Sequence, residues 1–429
     1  MAEIKPLEAL HYDLAKVGAL ADVVAPPYDV IDAEQRAGLA ARSPYNVVSI
    51  DLPEAPGGQD PYEAARELLA GWERDGAVVR DSEPALWAHE QDYTGPDGVA
   101  RTRRGFFCRV RIVEYGPGRV RPHERTHPGP KEDRLRLTRA ARANLSPIFS
   151  LFSDPGQSAW QALAPFTSEG PWGRAKDAEG TEHRIWRIDR PEVIETVKRA
   201  VSGSELLIAD GHHRYETAQA YAAEMNGSGA VPGPSPHDYV LMCLVALEDP
   251  GLTVFPTHRL VGPIDDERHA ALVAAIERDF EAREVTLEEL TERTAAPPSR
   301  VFEMGLLDRR DPRPRWLTLK NQAIADAALG GYSEAYRHLD TGVLESVLLK
   351  GVLGLSDGDI SHLNGFGYAR RPSDAQRLVE EGTFDVAFIM RPTPVAQVKE
   401  VAAAGENMPP KSTYFYPKLL TGLLFNPLY

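Results

Sequence analysis

Hydrophobic residues along the chain fall into short continuous runs that are separated by amphipathic stretches. These short apolar runs predict strands. They are Asn46–Asp51, Ala85–Gln91, Gly105–Val113, Leu206–Ala209, Tyr239–Leu247, Arg300–Leu306, Arg315–Leu319 and Phe384–Met390. Apolar residues at three- and four-residue spacing predict helices at Pro61–Asp75, His213–Glu224, Asp265–Glu281 and Val395–Ala404. This mixture predicts an α/β fold with an α+β mixed sheet.

The length of the chain indicates more than one domain. At 429 residues it exceeds the size of a single simple core. The 35 glycines and 35 prolines divide it into short elements, which argues against long helical bundles. We expect a boundary near residue 262, where a new helix opens. The first region, 1–262, would carry the site, and the second, 263–429, would be another α/β region whose segment 408–425 returns to that site.

Charge and hydropathy exclude several classes of protein. The chain has 48 Lys and Arg against 63 Asp and Glu, a net charge of −15, which disfavours general binding to nucleic acids or anionic membranes. The longest apolar run, Tyr239–Leu247, is far shorter than a membrane helix requires. Cys108 and Cys243 lie among apolar residues, which indicates buried free thiols in a reducing compartment. We expect a cytoplasmic protein that binds neither nucleic acid nor membrane.

The segment LLIADGHHRYETA, residues 206–218, is the strongest candidate for a functional site. A short apolar strand runs through Asp210 and Gly211 into an amphipathic helix. Backbone N–H groups and the helix dipole make such a helix start favourable for anions, and Gly211 permits close approach of a ligand. His212, His213 and Arg214 add donors in the first turn. The alternative is that Asp210 merely caps the helix and that the histidines are solvated.

The segment 121–142 forms a net-basic island in an acidic chain and can attract an anionic substrate. Within it, residues 123–127 read HERTH, the HExxH pattern of zinc peptidases, which requires both histidines on one helix. Prolines on both sides disfavour that helix. In a loop, Glu124 is a candidate base, and Lys131 and Arg134 are candidate phosphate contacts.

Three further segments carry weaker signals. Lys411 follows two prolines in MPPKST, but the glycines of a P-loop are absent and a terminal strand explains the segment equally well. The double proline before Tyr28 and Asp29 makes a rigid turn that could present both side chains to a pocket, although turn chemistry alone explains it. His258 and Arg259 are candidates only if they meet the Asp210 turn.

Several sequence motifs, taken together and in this order, resemble one family. APPYDV, the HE-x-T loop, NLSPIF, ADGHHRYETA, THR and MPPKSTYFYPKL are similar to the bacterial and archaeal domain-of-unknown-function family 1015. The resemblance spans residues 25–425. In that family the loop reads His-Glu-x-Thr, which implies that Thr126 belongs to the motif and that His127 completes HExxH by chance.

A second, shorter resemblance concerns the turn. Gly211-x-x-Arg214-Tyr215-x-x-Ala218 resembles the phosphate-binding box of ParB/sulfiredoxin-like domains. The resemblance implies a ParB/sulfiredoxin-like element around the DGHHR turn that binds nucleotide phosphates. Some members are kinases of free L-serine that use ADP, ATP or pyrophosphate. In them a glutamate from an earlier segment is the base, and Glu124 matches it by order.

These observations predict a small-molecule kinase. It would transfer a phosphoryl group from a nucleotide or pyrophosphate to the hydroxyl of a small metabolite, with free L-serine the first guess and magnesium the expected cofactor. The alternatives are a non-catalytic nucleotide-binding or phosphate-binding regulatory protein and a zinc-dependent hydrolase acting through HERTH. The predicted residues are Glu124 and Asp210 for catalysis, with Asp210 also a magnesium ligand; Gly211, His212, His213, Arg214, Lys131, Arg134 and Lys411 for phosphate binding; and Tyr28, Asp29, Thr126, His258 and Arg259 for the substrate.

Overall fold

The computed structural model describes residues 2–124, 128–227, 234–296 and 299–429. The chain forms two compact units. Unit 1 comprises residues 1–122, 126–252 and 417–429, and unit 2 comprises residues 123–125 and 253–416. The predicted boundary near residue 262 falls inside unit 2. The last thirteen residues of the chain, 417–429, belong to unit 1.

Unit 1 is built on a mixed nine-stranded sheet. The strands of unit 1 up to residue 246 are β1 (Ile4–Lys5), β2 (Leu10–Tyr12), β3 (Val78–Arg80), β4 (Leu86–Thr94), β5 (Ala100–Arg111), β6 (Val120–Arg121), β7 (Ala143–Asn144), β8 (Ile148–Phe152), β9 (Gly173–Lys176), β10 (Glu182–Ile188), β11 (Leu206–Asp210) and β12 (Tyr239–Ala246). Of these, β2 and β3 form a separate pair, and β7 lies outside the nine-stranded sheet. The sheet order is β6-β11-β8-β12-β5-β4-β10-β9, with β1 paired to β5. β11 runs parallel to β6 and antiparallel to β8, and β8 runs parallel to β12.

Helices of unit 1 fill the connections between these strands. They are α1 (Leu14–Val17), α2 (Leu20–Val23), α3 (Ala33–Arg42), α4 (Val48–Asp51), α5 (Pro61–Arg74), α6 (Pro128–Ala141), α7 (Ser158–Thr167), α8 (Pro191–Val201) and α9 (His212–Gly227), with 3₁₀ turns at Tyr28–Val30, Pro56–Gly58 and Pro236–Asp238. Local sequence explains several starts. The Asp60 carboxylate, for example, accepts hydrogen bonds from the backbone of Tyr62 and Glu63 and caps α5.

The core of unit 1 lies between its sheet and helices. Phe106, Phe152, Ile208 and Tyr215 are among the buried residues of this cluster. Because residues 206–209 are all buried, β11 is anchored in the core up to the residue before Asp210. The turn after β11 therefore starts from a fixed position.

Unit 2 contains a six-stranded antiparallel sheet in the order β15-β17-β16-β19-β14-β18 and a separate β13–β20 pair. The strands are β13 (Thr253–Phe255), β14 (His258–Val261), β15 (Phe280–Glu284), β16 (Glu303–Asp308), β17 (Asp311–Leu319), β18 (Phe366–Ala369), β19 (Val386–Ile389) and β20 (Tyr414–Tyr416). The helices are α10 (Asp266–Asp279), α11 (Leu287–Ala295), α12 (Gln322–Ala328), α13 (Glu334–Arg337), α14 (Asp340–Val343), α15 (Asp357–His362), α16 (Pro372–Glu380) and α17 (Val395–Ala403), with a π-helix at Leu344–Lys350. The final strand, β21 (Asn426–Pro427), pairs with β7 in unit 1.

The mixed α/β class predicted from the sequence is confirmed, and one predicted strand is wrong. Residues 46–51 form the short helix α4 and its N-terminal turn. The Asn46 side chain accepts a hydrogen bond from the backbone of Val48 at 3.0 Å and donates to the carbonyls of Asp22 and Val24. These side-chain bonds fix a turn that favours a helix start over a strand. Among the described residues, no helix is both long enough and apolar enough to cross a membrane.

Candidate functional site

The strand–turn–helix junction predicted around Asp210 is present in unit 1. β11 ends at Asp210, Gly211 adopts φ +98°, and the 16-residue helix α9 begins at His212. A Cβ on Gly211 would lie 2.9 Å from Arg214 Nε, so both the backbone conformation and the available space require glycine here. His212 and His213 lie in the first turn of α9, where the helix dipole favours a negative ligand.

Asp210 lies between two cations. Its Oδ2 accepts a hydrogen bond from Arg214 Nη2 at 2.5 Å, and its Oδ1 accepts one from Lys418 Nζ. Burial alone would raise the pKa of Asp210, but the charges of Lys418 and Arg214 hold it well below its usual value. The three side chains together carry one excess positive charge, which suits an anion site.

Arg214 is fixed at several points. Its Nη1 donates to Ser146 Oγ at 2.8 Å and to the carbonyl oxygen of Pro147. Ser146 Oγ also accepts a hydrogen bond from Thr421 Oγ1 at 3.0 Å. A guanidinium held in this way loses little freedom when it binds an anion, because its orientation is already set.

Lys418 was missed by the sequence analysis, which chose Lys411 from the same segment. Gln91 Nε2 donates to the carbonyl of Lys418 at 3.1 Å, and Arg103 Nη2 donates to the carbonyl of Pro417 at 2.6 Å. Arg103 also donates from Nε to Gln91 Oε1 at 2.9 Å. Burial lowers the pKa of Arg103 to about 10, so the guanidinium remains charged at neutral pH. This buried pair fixes the backbone that carries Lys418.

A cleft in unit 1 adjoins the junction. It contains a cavity of about 40 Å³. Three predicted residues line it, namely Tyr28, Arg134 and Arg214, together with Asp51, Ser146 and Thr217, which were not predicted. The Arg134 guanidinium carbon lies 4.4 Å from the centre of the Tyr28 ring.

The predicted phosphate contacts on α6 are engaged with carboxylates. Arg134 Nη1 lies 3.1 Å from Asp51 Oδ1, and Arg134 Nη2 lies 2.5 Å from Asp133 Oδ2. Lys131 Nζ donates to Glu216 Oε2 at 2.7 Å. The positive charge of Arg134 is therefore balanced by Asp51 and Asp133.

A second group of predicted residues meets in unit 2. Glu124 Oε1 accepts a hydrogen bond from the backbone N–H of Lys411 at 3.1 Å. Arg259 donates to the carbonyls of Pro410 and Lys411, both at 3.2 Å, and Lys411 has the left-handed φ of +58°. Glu124 and Arg259 therefore hold the turn that contains Lys411. Burial lowers the pKa of Arg259, and the negative charges of Glu345 and Glu124 oppose that effect.

The remaining predicted residues have separate positions. His258 in unit 2 is fully buried, and its Nδ1 accepts the backbone N–H of Met390 at 3.2 Å. Asp29 is exposed in the 3₁₀ turn that also carries Tyr28. Thr126 lies outside the described residues.

The residues present at the turn do not fit a magnesium ion. Both carboxylate oxygens of Asp210 accept hydrogen bonds from cationic groups, so the charge of Asp210 is already neutralised and a further cation is disfavoured there. Within the described parts of the chain, no group of three or more His, Cys, Asp or Glu side chains could hold a metal.

The HERTH pattern lies partly outside the described residues, since His127 is not among them. Glu124 forms an isolated β-bridge with Met408, and α6 begins only at Pro128. His123 Nε2 lies 2.8 Å from Thr413 Oγ1. The described part of the motif is therefore not on a helix.

Fold and site together define a two-unit mixed α/β protein with a cationic strand–turn–helix junction. The chain belongs to the family described as protein of unknown function (DUF1015), whose sequence model matches residues 4–342. This agrees with the resemblance found in the sequence. No curated protein matches the chain.

Several solved structures resemble the chain at low sequence identity. A conserved hypothetical protein from Pyrococcus furiosus is 15% identical, with 69% of this chain and 87% of that one covered and a TM-score of 0.33. A free serine kinase mutant in complex with AMP is 14% identical, with coverage of 69% and 84% and a TM-score of 0.35. SbnI from Staphylococcus aureus, truncated at its C-terminus, is 11% identical, with coverage of 73% and 85% and a TM-score of 0.33. Similarity at this level carries no functional conclusion.

Proposed function

We propose that this protein is a small-molecule kinase that transfers a phosphoryl group from a nucleotide or pyrophosphate to the hydroxyl of a small metabolite, with free L-serine as the first acceptor to test. The observation that carries the proposal is the junction in unit 1, where Arg214 and Lys418 converge on Asp210 at the start of α9. Phosphoryl transfer depends mainly on positioning and charge neutralisation, which such a junction can supply.

In the proposed reaction the donor phosphates bind at the N-terminus of α9. Arg214 and Lys418 neutralise them, and Asp210 keeps both cations in place before the donor arrives. The acceptor oxygen forms a bond to phosphorus while the bond from phosphorus to the bridging oxygen of the donor breaks. The hydroxyl proton passes to Glu124, which is the proposed base.

A phosphate-binding regulatory protein without turnover is the second candidate. One observation favours it: Glu124 accepts a hydrogen bond from the backbone of Lys411, so this carboxylate has a structural partner. Both candidates predict phosphate binding at the Asp210 turn, and only the first predicts a product.

An activity assay separates the two. The full chain is incubated with magnesium, L-serine and, in separate reactions, ATP, ADP or pyrophosphate, and O-phosphoserine is measured by mass spectrometry. Isothermal titration calorimetry measures donor affinity in parallel. Product that depends on the protein supports the kinase, and donor binding without product supports the regulatory protein. Absence of both binding and product contradicts both candidates.

A further inference from the structure

Lys418, one of the two cations at the junction, lies in a part of unit 1 that has no regular secondary structure. Residues 417–420 belong to neither a helix nor a strand, so no ladder of backbone hydrogen bonds holds them. Their carbonyl groups need other partners. Two side chains supply them: Arg103 Nη2 donates to the carbonyl of Pro417 at 2.6 Å, and Gln91 Nε2 donates to the carbonyl of Lys418 at 3.1 Å. The position of Lys418 therefore depends on these two side chains.

Arg103 and Gln91 are placed by two long strands of the nine-stranded sheet. They lie directly opposite each other where β4 pairs with β5, and each is 1% exposed. Gln91 Oε1 accepts hydrogen bonds from two nitrogens of the Arg103 guanidinium. Because the amide oxygen is held in this way, the amide nitrogen is directed to the carbonyl of Lys418. The sheet fixes the pair, and the pair fixes the backbone at Lys418.

The positive charge of Arg103 is costly at this position. Among the described residues its hydrogen-bond and ring partners are uncharged: Gln91, the carbonyl of Pro417, and the ring of Phe149, whose centre lies 4.4 Å from the guanidinium carbon. Arg103 remains charged at neutral pH, and a buried charge of this kind has no close carboxylate to offset its desolvation. Such a residue is poorly explained by stability alone, which indicates a role in binding.

We propose that Arg103 and Gln91 are positioning residues for the phosphoryl donor, and that they act by holding Lys418 in place before the donor binds. The inference rests on the proposed function, because it requires Lys418 to contact the donor phosphates. Neither residue touches the donor in this arrangement. Their effect on donor affinity passes through Lys418.

The physical reason is that Lys418 is held at both ends. Arg103 and Gln91 hold its backbone, and Asp210 accepts a hydrogen bond from its Nζ. A lysine side chain is a flexible four-carbon stem, and ordering it on binding reduces the affinity. With both ends fixed in advance, the donor meets an ammonium group that is already in position. A shift of the backbone at residues 417–418 would move that group away from the junction.

Calorimetric titration of pyrophosphate into the full chain tests this role. Arg103→Lys keeps the positive charge but loses the planar fork that bonds Gln91 and Pro417 together. We expect it to bind pyrophosphate about 5–20-fold more weakly than the wild type. In a chain that already carries Lys418→Gln, the same change should alter affinity by less than about twofold, because no ammonium group is left to position. A general loss of folded structure would instead weaken binding in both backgrounds.

Gln91→Glu tests the same contact and retains the partner of Arg103. The carboxylate still accepts from Arg103 and adds a charge-assisted hydrogen bond, so the variant should unfold in urea at the wild-type midpoint or above it. It loses the N–H donor to the carbonyl of Lys418, so pyrophosphate should bind about tenfold more weakly. Comparison with the same variant in the Lys418→Gln background removes the direct effect of the added negative charge.

Arg109→Lys is the matched control. Arg109 lies on the same strand, β5, and also holds a distant backbone segment, since its Nε donates to the carbonyl of Pro6 at 3.0 Å. That segment does not carry Lys418. The control should bind pyrophosphate as the wild type does.

The inference and the proposed function can fail separately. Wild-type affinity in both Arg103→Lys and Gln91→Glu, or losses of equal size with and without Lys418, would overturn the positioning role. Binding that depends on Arg103 through Lys418, in a protein that makes no phosphorylated product, would leave the positioning role standing and contradict the kinase. Formation of phosphoserine together with wild-type affinity in both variants would leave the kinase standing and overturn the inference.

Discussion

Replacing Lys418 by glutamine tests the charge arrangement at the junction. Lys418 Nζ and Arg214 Nη2 bind opposite oxygens of Asp210, so the three groups together carry a charge of +1. Glutamine keeps most of the length and polarity of lysine but removes the charge. Asp210 and Arg214 would then neutralise each other, and the junction would attract a phosphate far less strongly.

The magnitude follows from the contact that is lost. A charge-assisted hydrogen bond contributes about 1.5–3 kcal/mol. Two unit charges about 4 Å apart interact by about 4 kcal/mol at an effective dielectric constant of about 20, before the cost of desolvation. Since the Lys418 side chain is 24% exposed, solvent screens part of this interaction. We expect pyrophosphate to bind about 10–100-fold more weakly to Lys418→Gln.

Calorimetric titration of pyrophosphate into the full chain at low and high salt is the assay. Lys176→Gln is the matched control, because Lys176 is an exposed lysine on β9 of the same unit and lies away from the junction. The control should bind as the wild type does. Equal affinities for wild type and Lys418→Gln would refute the claim that Lys418 neutralises the donor.

Three further predictions concern other residues. Glu124→Gln keeps hydrogen bonding but removes the proton acceptor, so turnover measured as phosphoserine should fall about 10²–10⁴-fold with donor affinity unchanged; wild-type turnover would exclude Glu124 as the base. Gly211→Val should abolish pyrophosphate binding measured by calorimetry, because the added Cβ would meet Arg214. The control Gly98→Val should retain binding, since Gly98 also has a positive φ but no atom lies near the position of its Cβ. Retained binding in Gly211→Val would contradict the requirement for glycine at this turn. Burial lowers the pKa of His258 to about 3 in the folded state. The contribution of His258 to the free energy of unfolding should therefore decrease by about 1.4 kcal/mol per pH unit as the pH falls from about 6.5 towards 3. Urea unfolding at several pH values should show a weaker pH dependence of stability for His258→Gln than for the wild type, and equal dependences would refute this.

Local sequence predicted the elements that carry the junction. Residues 206–209 are an apolar run followed by glycine, and the helix pattern begins within one residue of its observed start at His212. This prediction succeeded because the strand, the turn glycine and the amphipathic helix are contiguous in the chain. The predicted strand over residues 46–51 failed because the Asn46 side chain determines the local conformation there, and hydrophobicity alone does not.

Long-range partners could not be predicted in the same way. Lys418 lies 208 positions from Asp210, and no periodicity or motif links them. Lys411 was selected because it follows the double proline of the MPPKST segment. Lys418 lies beyond the three aromatic residues that follow this segment, where no motif marks it. Asp51 could not be predicted for the same reason. It pairs with Arg134, 83 positions further along the chain, and this contact joins α4 to α6.

A crystal structure of the full chain with pyrophosphate tests the central claim most directly. We expect an anion at the N-terminus of α9, within hydrogen-bonding distance of backbone amides of residues 211–213 and of both Arg214 and Lys418. Asp210 should release at least one of its two cations to the anion. A saturated crystal with no anion at this turn, or with pyrophosphate bound elsewhere in unit 1, would contradict it.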